Sequence, residues 1–191
     1  MLYFLQKIQE IIIKNLKIEH LDFSKVEKVG FFDCAFAKNK VICACVIYNW
    51  KKRETENEIV KKDKVYFPYI PTYLFIREGP IILEILKEVE LDLIVIDGQG
   101  LAHPRKAGIA TVVGILADKP SIGIAKSYLF GTIINNEIFV ENQKVGLKFN
   151  NYYISIGNKV DLENLKEFLE YFNYEYPWPM EKADKLSKAW K

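Results

Sequence analysis

Histidine, cysteine and long apolar runs are scarce in this chain. Two histidines and three cysteines among 191 residues do not supply the Cys/His tetrahedron of a structural zinc site, and Cys43-x-Cys45 is followed by no second pair. The cysteines are odd in number, and Cys34, Cys43 and Cys45 all sit in strand-like apolar runs. That suits reduced core thiols in a cytoplasmic protein better than a disulfide framework. No apolar stretch approaches the roughly 20 residues of a membrane span. The segment Met1 to Leu16 places Leu5, Ile8, Ile12 and Leu16 on one helical face, broken by Lys7, Glu10 and Lys14; it reads as a helix, neither signal peptide nor membrane span. An excess of one charge is lacking too. Lys and Arg number 27 against 25 Asp and Glu, a net +2, short of the basic footprint that announces nucleic-acid binding unaided. Lysine clusters at 51–53 and 61–64 are diluted by Glu54, Glu56 and Glu58. Repeats and low-complexity tracts are absent. The length, with half the residues hydrophobic, points to one domain spanning 1–191 with a substantial core, expected to be monomeric and without a membrane partner.

What is present is a run of strands followed by alternation. Residues 26–36 read as a strand, 37–40 as a turn and 41–50 as a returning strand, a hairpin to which 55–66 adds a more polar third strand. The aromatic and proline-rich Tyr66 to Pro71 reads as an exposed loop, because proline lacks a ladder donor. From Pro80, placed in a first turn, Ile81, Ile82, Ile85, Leu86 and Val89 share a helical face that leads into a strand ending at Asp97. A helix over 106–118, a buried strand at 121–125, strands around 133–140, 144–149 and 152–156, and helices over 161–172 and 180–190 complete the pattern.

Three acids stand out. Alternation puts Asp33 on one strand face with Val29, Phe31 and Ala35, where an unpaired carboxylate costs several kcal/mol. Asp97 closes the apolar run 91–96, and Glu78 lies between them in Arg77-Glu78-Gly79-Pro80. Converging carboxylates form a hard oxygen cage suited to Mg²⁺, with Mn²⁺ as a substitute, and not to zinc. Taken alone, Glu78 is equally a helix N-terminal carboxylate and Asp97 a strand-end turn residue.

A hairpin followed by helix-strand-helix-strand, with acids on the first strand and at the end of the next core strand, resembles the ribonuclease H-like plan: an α/β fold with a mixed sheet flanked by helices. The chain is more specifically similar to the endonuclease V family. The resemblance rests on Phe32-Asp33, on Pro68-Tyr69-Ile70-Pro71 followed by Arg77-Glu78-Gly79-Pro80, on the block from Asp97 to Arg105, and on Gly123-Ile124-Ala125-Lys126-Ser127, in that order.

The resemblance implies a Mg²⁺-dependent repair endonuclease that recognises deoxyinosine in DNA, with inosine-containing RNA as an alternative partner. It implies cleavage at the second phosphodiester 3′ to the lesion, leaving 3′-hydroxyl and 5′-phosphate ends. Asp33, Glu78 and Asp97 are carried over as metal ligands. His103 is expected to orient water or the scissile phosphate, and Lys126 to stabilise charge on the phosphate. Tyr69, stiffened by Pro68 and Pro71, is expected to fill the gap left by an extruded base; Gly98 and Gly100 to line a hypoxanthine pocket through their backbone; Ile109 and Leu129 to be further pocket candidates. The chain departs from the family where Thr72 and Tyr73 follow the wedge segment in place of glycine, and where Pro179 to Asp184 lacks the expected Thr and Arg. Asp184 therefore reads evenly as a further metal-shell acid or a surface acid. A resolvase-type nuclease and a non-catalytic nucleic-acid-binding module are the competing readings.

Overall fold

The computed structural model describes residues 1–191. After helix α1 (Leu2–Ile12), strands β1 (Lys28–Ala37) and β2 (Lys40–Asn49) form the expected hairpin, with Lys28 opposite Asn49 and Ala37 opposite Lys40. Strand β3 (Glu54–Lys64) adds a charged edge beside β2, which discourages pairing with another sheet. Helix α2 (Phe75–Leu86) then carries the chain to β4 (Leu93–Asp97), parallel to β1, and α3 (Ile109–Leu116) carries it to β5 (Ser121–Ala125), parallel to β4. Strands β6 (Thr132–Ile134), β7 (Glu137–Val140), β8 (Gln143–Phe149) and β9 (Tyr152–Asn158) form an antiparallel meander that returns β9 beside β5. The nine strands make one mixed sheet in the order β3-β2-β1-β4-β5-β9-β8-β7-β6. Helices α4 (Leu162–Tyr171) and α5 (Trp178–Ala189) close the chain.

Both faces of the central strands are covered, which is why β1, β2 and β4 read as almost unbroken apolar runs. Val29, Phe31, Tyr48, Leu93 and Val95 pack on one face with Leu165, Phe168, Met180 and Ala183 of α4 and α5. Their neighbours Phe32, Cys43, Cys45, Ile94 and Ile96 point the other way, against Leu5, Ile82, Ile85 and Val113. The three thiols are unpaired, and no helix is long and apolar enough to cross a membrane.

Three boundaries differ from the sequence expectation. Helix α2 begins at Phe75, so Pro80 is its sixth residue rather than part of a first turn. The extra turn starts with tight bonds such as Arg77 N–H to Leu74 O at 2.9 Å, and it places Glu78 on the buried stripe with Phe75, Ile82 and Ile85. Residues 133–140 are two strands, because Asn135 and Asn136 both adopt positive φ (50° and 65°), the pairing a two-residue hairpin turn requires. The expected helix over 106–118 is reduced to Ile109–Leu116, entered through Gly108 in an extended conformation.

Candidate active site

The parallel pairing of β1 with β4 runs from Val29↔Leu93 to Phe32↔Ile96, so the next residues, Asp33 and Asp97, stand side by side where the strands diverge. Pairing of β4 with β5 matches Asp97 to Ile124, which leaves Lys126 just past the end of β5 over the same spot. Helix α5 brings a third acid against β1. Carboxylate oxygens of Asp33, Asp97 and Asp184 all lie within 4.8 Å of one another. The Lys126 ammonium sits among them, 2.9 Å from Asp97 Oδ2, 2.9 Å from Asp184 Oδ1 and 3.6 Å from Asp33 Oδ2. Lys188, one helical turn beyond Asp184, donates to its other oxygen at 2.6 Å.

Glu78 was expected in this group. It lines the same cleft but falls outside the close cluster, whose third member is Asp184. Lys126 was expected against a phosphate; here it serves the carboxylates.

Asp33 is only 7% exposed, and its Oδ2 is buried without a hydrogen bond. Burial, reinforced by the charge of Asp97, pushes its pKa up to about 8. Burial first, then Asp33 and Asp97, also raises Glu78 well above the usual carboxylate range. Burial opposes ionisation of Asp184 as well, yet hydrogen bonds from Lys188 and Lys126 hold it below that range. Lys126 is raised despite its own burial, chiefly by Asp97. Three close carboxylate oxygens, one of them orphaned in the interior, are a donor set that suits a hard divalent cation. The acidic cluster can hold such a metal.

Asp33, Glu78, Asp97 and Lys126 line a cleft of about 270 Å³ together with Tyr69, Gly98, Ile109 and Leu129. Tyr69 is 64% exposed. Gly98 has φ +146°, and a Cβ there would meet Ile109 at 2.6 Å. Its backbone lines the cleft because no side chain intervenes.

Pro71 and Gly100 lie off the cleft, whereas His103 lines it. Pro71 is exposed and absent from the lining; it is the second residue of a turn in which Tyr73 N–H bonds to Ile70 O at 3.1 Å. Gly100 also lies off the cleft, pressed on β9: its N–H donates to Ser155 Oγ at 2.8 Å, and an added Cβ would stand 2.1 Å from the Ile156 carbonyl oxygen. Gly100→Ala should therefore destabilise the fold by about 3 kcal/mol, measured as a lower urea midpoint at unchanged slope. A midpoint within error of wild type would refute that contact.

His103 is buried, and both ring nitrogens are engaged. Nδ1 accepts from the N–H groups of Arg105 (3.1 Å) and Ala107 (3.3 Å), which leaves Nε2 to donate to Thr72 O at 2.9 Å. Burial lowers its pKa to about 4, so it stays neutral. It braces the loop that carries Thr72 and also lines the cleft.

Among known proteins, the sequence profile of the Endonuclease V family matches residues 10–185. Endonuclease V of Sulfurisphaera tokodaii is 44% identical over 189 residues, covering 97% of this chain and 93% of its own. The catalytic domain of human Endonuclease V superposes with a TM-score of 0.88 at 21% identity, covering 98% of this chain and 94% of that one. Ciona intestinalis Endonuclease V, solved with a 24mer DNA containing an inosine followed by a ribo-adenosine, superposes at 0.85 with 22% identity, covering 98% and 96%. The fold is ribonuclease H-like, as its strand order and these superpositions show. A profile match along nearly the whole length and a full-length relative at 44% identity place this chain in the endonuclease V family of metal-dependent nucleases.

Proposed function

We propose that this nuclease recognises deoxyinosine in DNA and hydrolyses the second phosphodiester on its 3′ side in a Mg²⁺-dependent reaction, leaving 3′-hydroxyl and 5′-phosphate ends. One observation carries the reading. Asp33, Glu78 and Asp97 share a single cleft with Tyr69, the Gly98 backbone, Ile109 and Leu129. A nuclease that reads only duplex or junction shape has no use for those last four.

Asp33, Asp97 and Asp184 would hold Mg²⁺, with Glu78 beside them and Mn²⁺ as a substitute. A cation bound there supplies positive charge that eases ionisation of water and offsets charge gathering on the phosphate. The chain's own groups do the rest. Lys126, held by Asp97 and Asp184 and lining the cleft, would turn to a nonbridging phosphate oxygen when a strand arrives. Tyr69 can stack in the gap an extruded base leaves, offsetting part of the few kcal/mol that extrusion costs, and least is needed at a mispaired base. The Gly98 backbone, between Ile109 and Leu129, presents main-chain groups to the base edge. Inosine-containing RNA carries the same base and remains the alternative substrate. Unpaired core thiols support a reducing, cytoplasmic setting, and we take residues 1–191 as one nuclease unit acting as a monomer.

Labelled inosine duplex, undamaged duplex and junction DNA, each with and without Mg²⁺, test the reading together. A nick specific to the inosine strand and dependent on Mg²⁺ is expected. Equal nicking of the undamaged duplex would remove the base pocket from the account, and preference for the junction would favour the resolvase-type reading.

A further inference from the structure

Four residues after Pro68 the backbone does something that a β-branched residue rarely does. Thr72 has φ +70°, a left-handed conformation that is an outlier for threonine. It is the third residue of the turn Ile70-Pro71-Thr72-Tyr73, closed by Tyr73 N–H to Ile70 O at 3.1 Å. Proline second and positive φ third is the pattern of a type II turn, which calls for glycine or asparagine at the third place. Threonine there must be held by something else.

The holder is a buried polar network from two distant parts of the chain. Three donors converge on the Thr72 carbonyl: Gln9 Nε2 at 3.0 Å, His103 Nε2 at 2.9 Å and an Arg105 terminal nitrogen at 3.1 Å. The same Arg105 nitrogen bonds the Thr72 hydroxyl at 2.6 Å, and Arg105 Nε bonds Gln9 Oε1 at 2.6 Å. Gln9, fully buried on α1, spans to the Ala107 carbonyl at 3.0 Å. The Arg105 guanidinium also lies 4.4 Å from the Tyr73 ring. Every donor of this clamp faces the turn that immediately follows Tyr69, and both Tyr69 and Thr72 line the cleft.

We propose that Gln9, His103 and Arg105 are positioning residues for lesion recognition: by clamping Thr72 in its left-handed conformation they set the direction in which Tyr69 enters the nucleic acid. The inference rests on the wedge role given to Tyr69 above and extends it to residues that act through the turn. A turn released from the clamp moves threonine back to its preferred region, and Tyr69 then leaves its productive pose before binding. The carboxylate cluster is untouched by this change.

Steady-state cleavage of inosine duplex by Gln9→Leu, Arg105→Lys and Tyr69→Ala, with Mg²⁺ affinity measured in parallel, tests the clamp. Gln9→Leu should raise KM about tenfold while kcat and Mg²⁺ affinity stay at wild-type values. Adding Thr72→Gly to Gln9→Leu should bring KM back to within about threefold of wild type, because glycine adopts positive φ without support. If Gln9→Leu does not fold, Arg105→Lys, which keeps the charge and loses the fork, carries the same comparison. A raised KM in Tyr69→Ala with none in the clamp variants would overturn the clamp and leave the wedge standing. No change in Tyr69→Ala would remove the wedge and the clamp together. A raised KM that Thr72→Gly fails to rescue, or a loss confined to kcat, would also overturn it.

Discussion

Asp97→Asn should leave the chain folded and lower the cleavage rate of an inosine duplex by on the order of 10³-fold. The replacement keeps the shape of the side chain and the oxygen that accepts from Lys126 (2.9 Å in the wild type), so little packing changes. What disappears is one of the three carboxyl groups gathered within 4.8 Å. Mg²⁺ should bind the variant correspondingly more weakly. Asp33 would respond as well, since Asp97 is, after burial, the largest contributor to its raised pKa; without that repulsion it ionises at lower pH. Single-turnover cleavage together with a Mg²⁺ titration checks both effects. Wild-type rates in a folded Asp97→Asn protein would sink the carboxylate centre as the seat of the chemistry.

Binding of Mg²⁺ at pH 7 should expel about one proton from Asp33, so affinity should weaken about tenfold for each pH unit below 8. The sign follows from the direction of the shifts. Asp33 titrates near pH 8 in the folded metal-free chain against an ordinary 3.8, so at neutral pH it is protonated until a cation takes the proton's place. The same shift gives the metal-free protein a stability contribution that is complete below pH 3.8 and is lost as pH rises through 8. Alkaline solution should therefore weaken the metal-free fold, and added Mg²⁺ should restore it. Calorimetric titration in two buffers of different ionisation enthalpy counts the protons, and Asp33→Asn should remove most of them. A pH-independent affinity between 6 and 8 would contradict the burial of Asp33.

The elements that sequence patterning located are those in which period and burial agree. Strand β1 is an apolar run with a single misplaced acid, and β4 is a shorter one that ends in another; both needed only local rules. Asp184 was harder, because a polar residue in the terminal helix looks alike whether it faces water or the sheet. Only the packing of α5 on β1, through Met180 and Ala183, decides it. The start of α2 was obscured because proline suits a helix's first turn better than its sixth position, and the tertiary contacts of Phe75 and Glu78 prevail over that preference. Gly100 and His103 carry motif signals that say they matter without saying for what. Gly100 is set by the nearness of the β9 carbonyl, and His103 by the carbonyl of Thr72, 31 residues away in sequence.

The ammonium lodged among the acids bears on the net charge of the centre. With Asp33 protonated, the negative charges of Asp97 and Asp184 are balanced by Lys126 and Lys188, and burial biases Glu78 toward its neutral form. The resting centre is thus close to electroneutral, and a polyanion approaching it meets little repulsion.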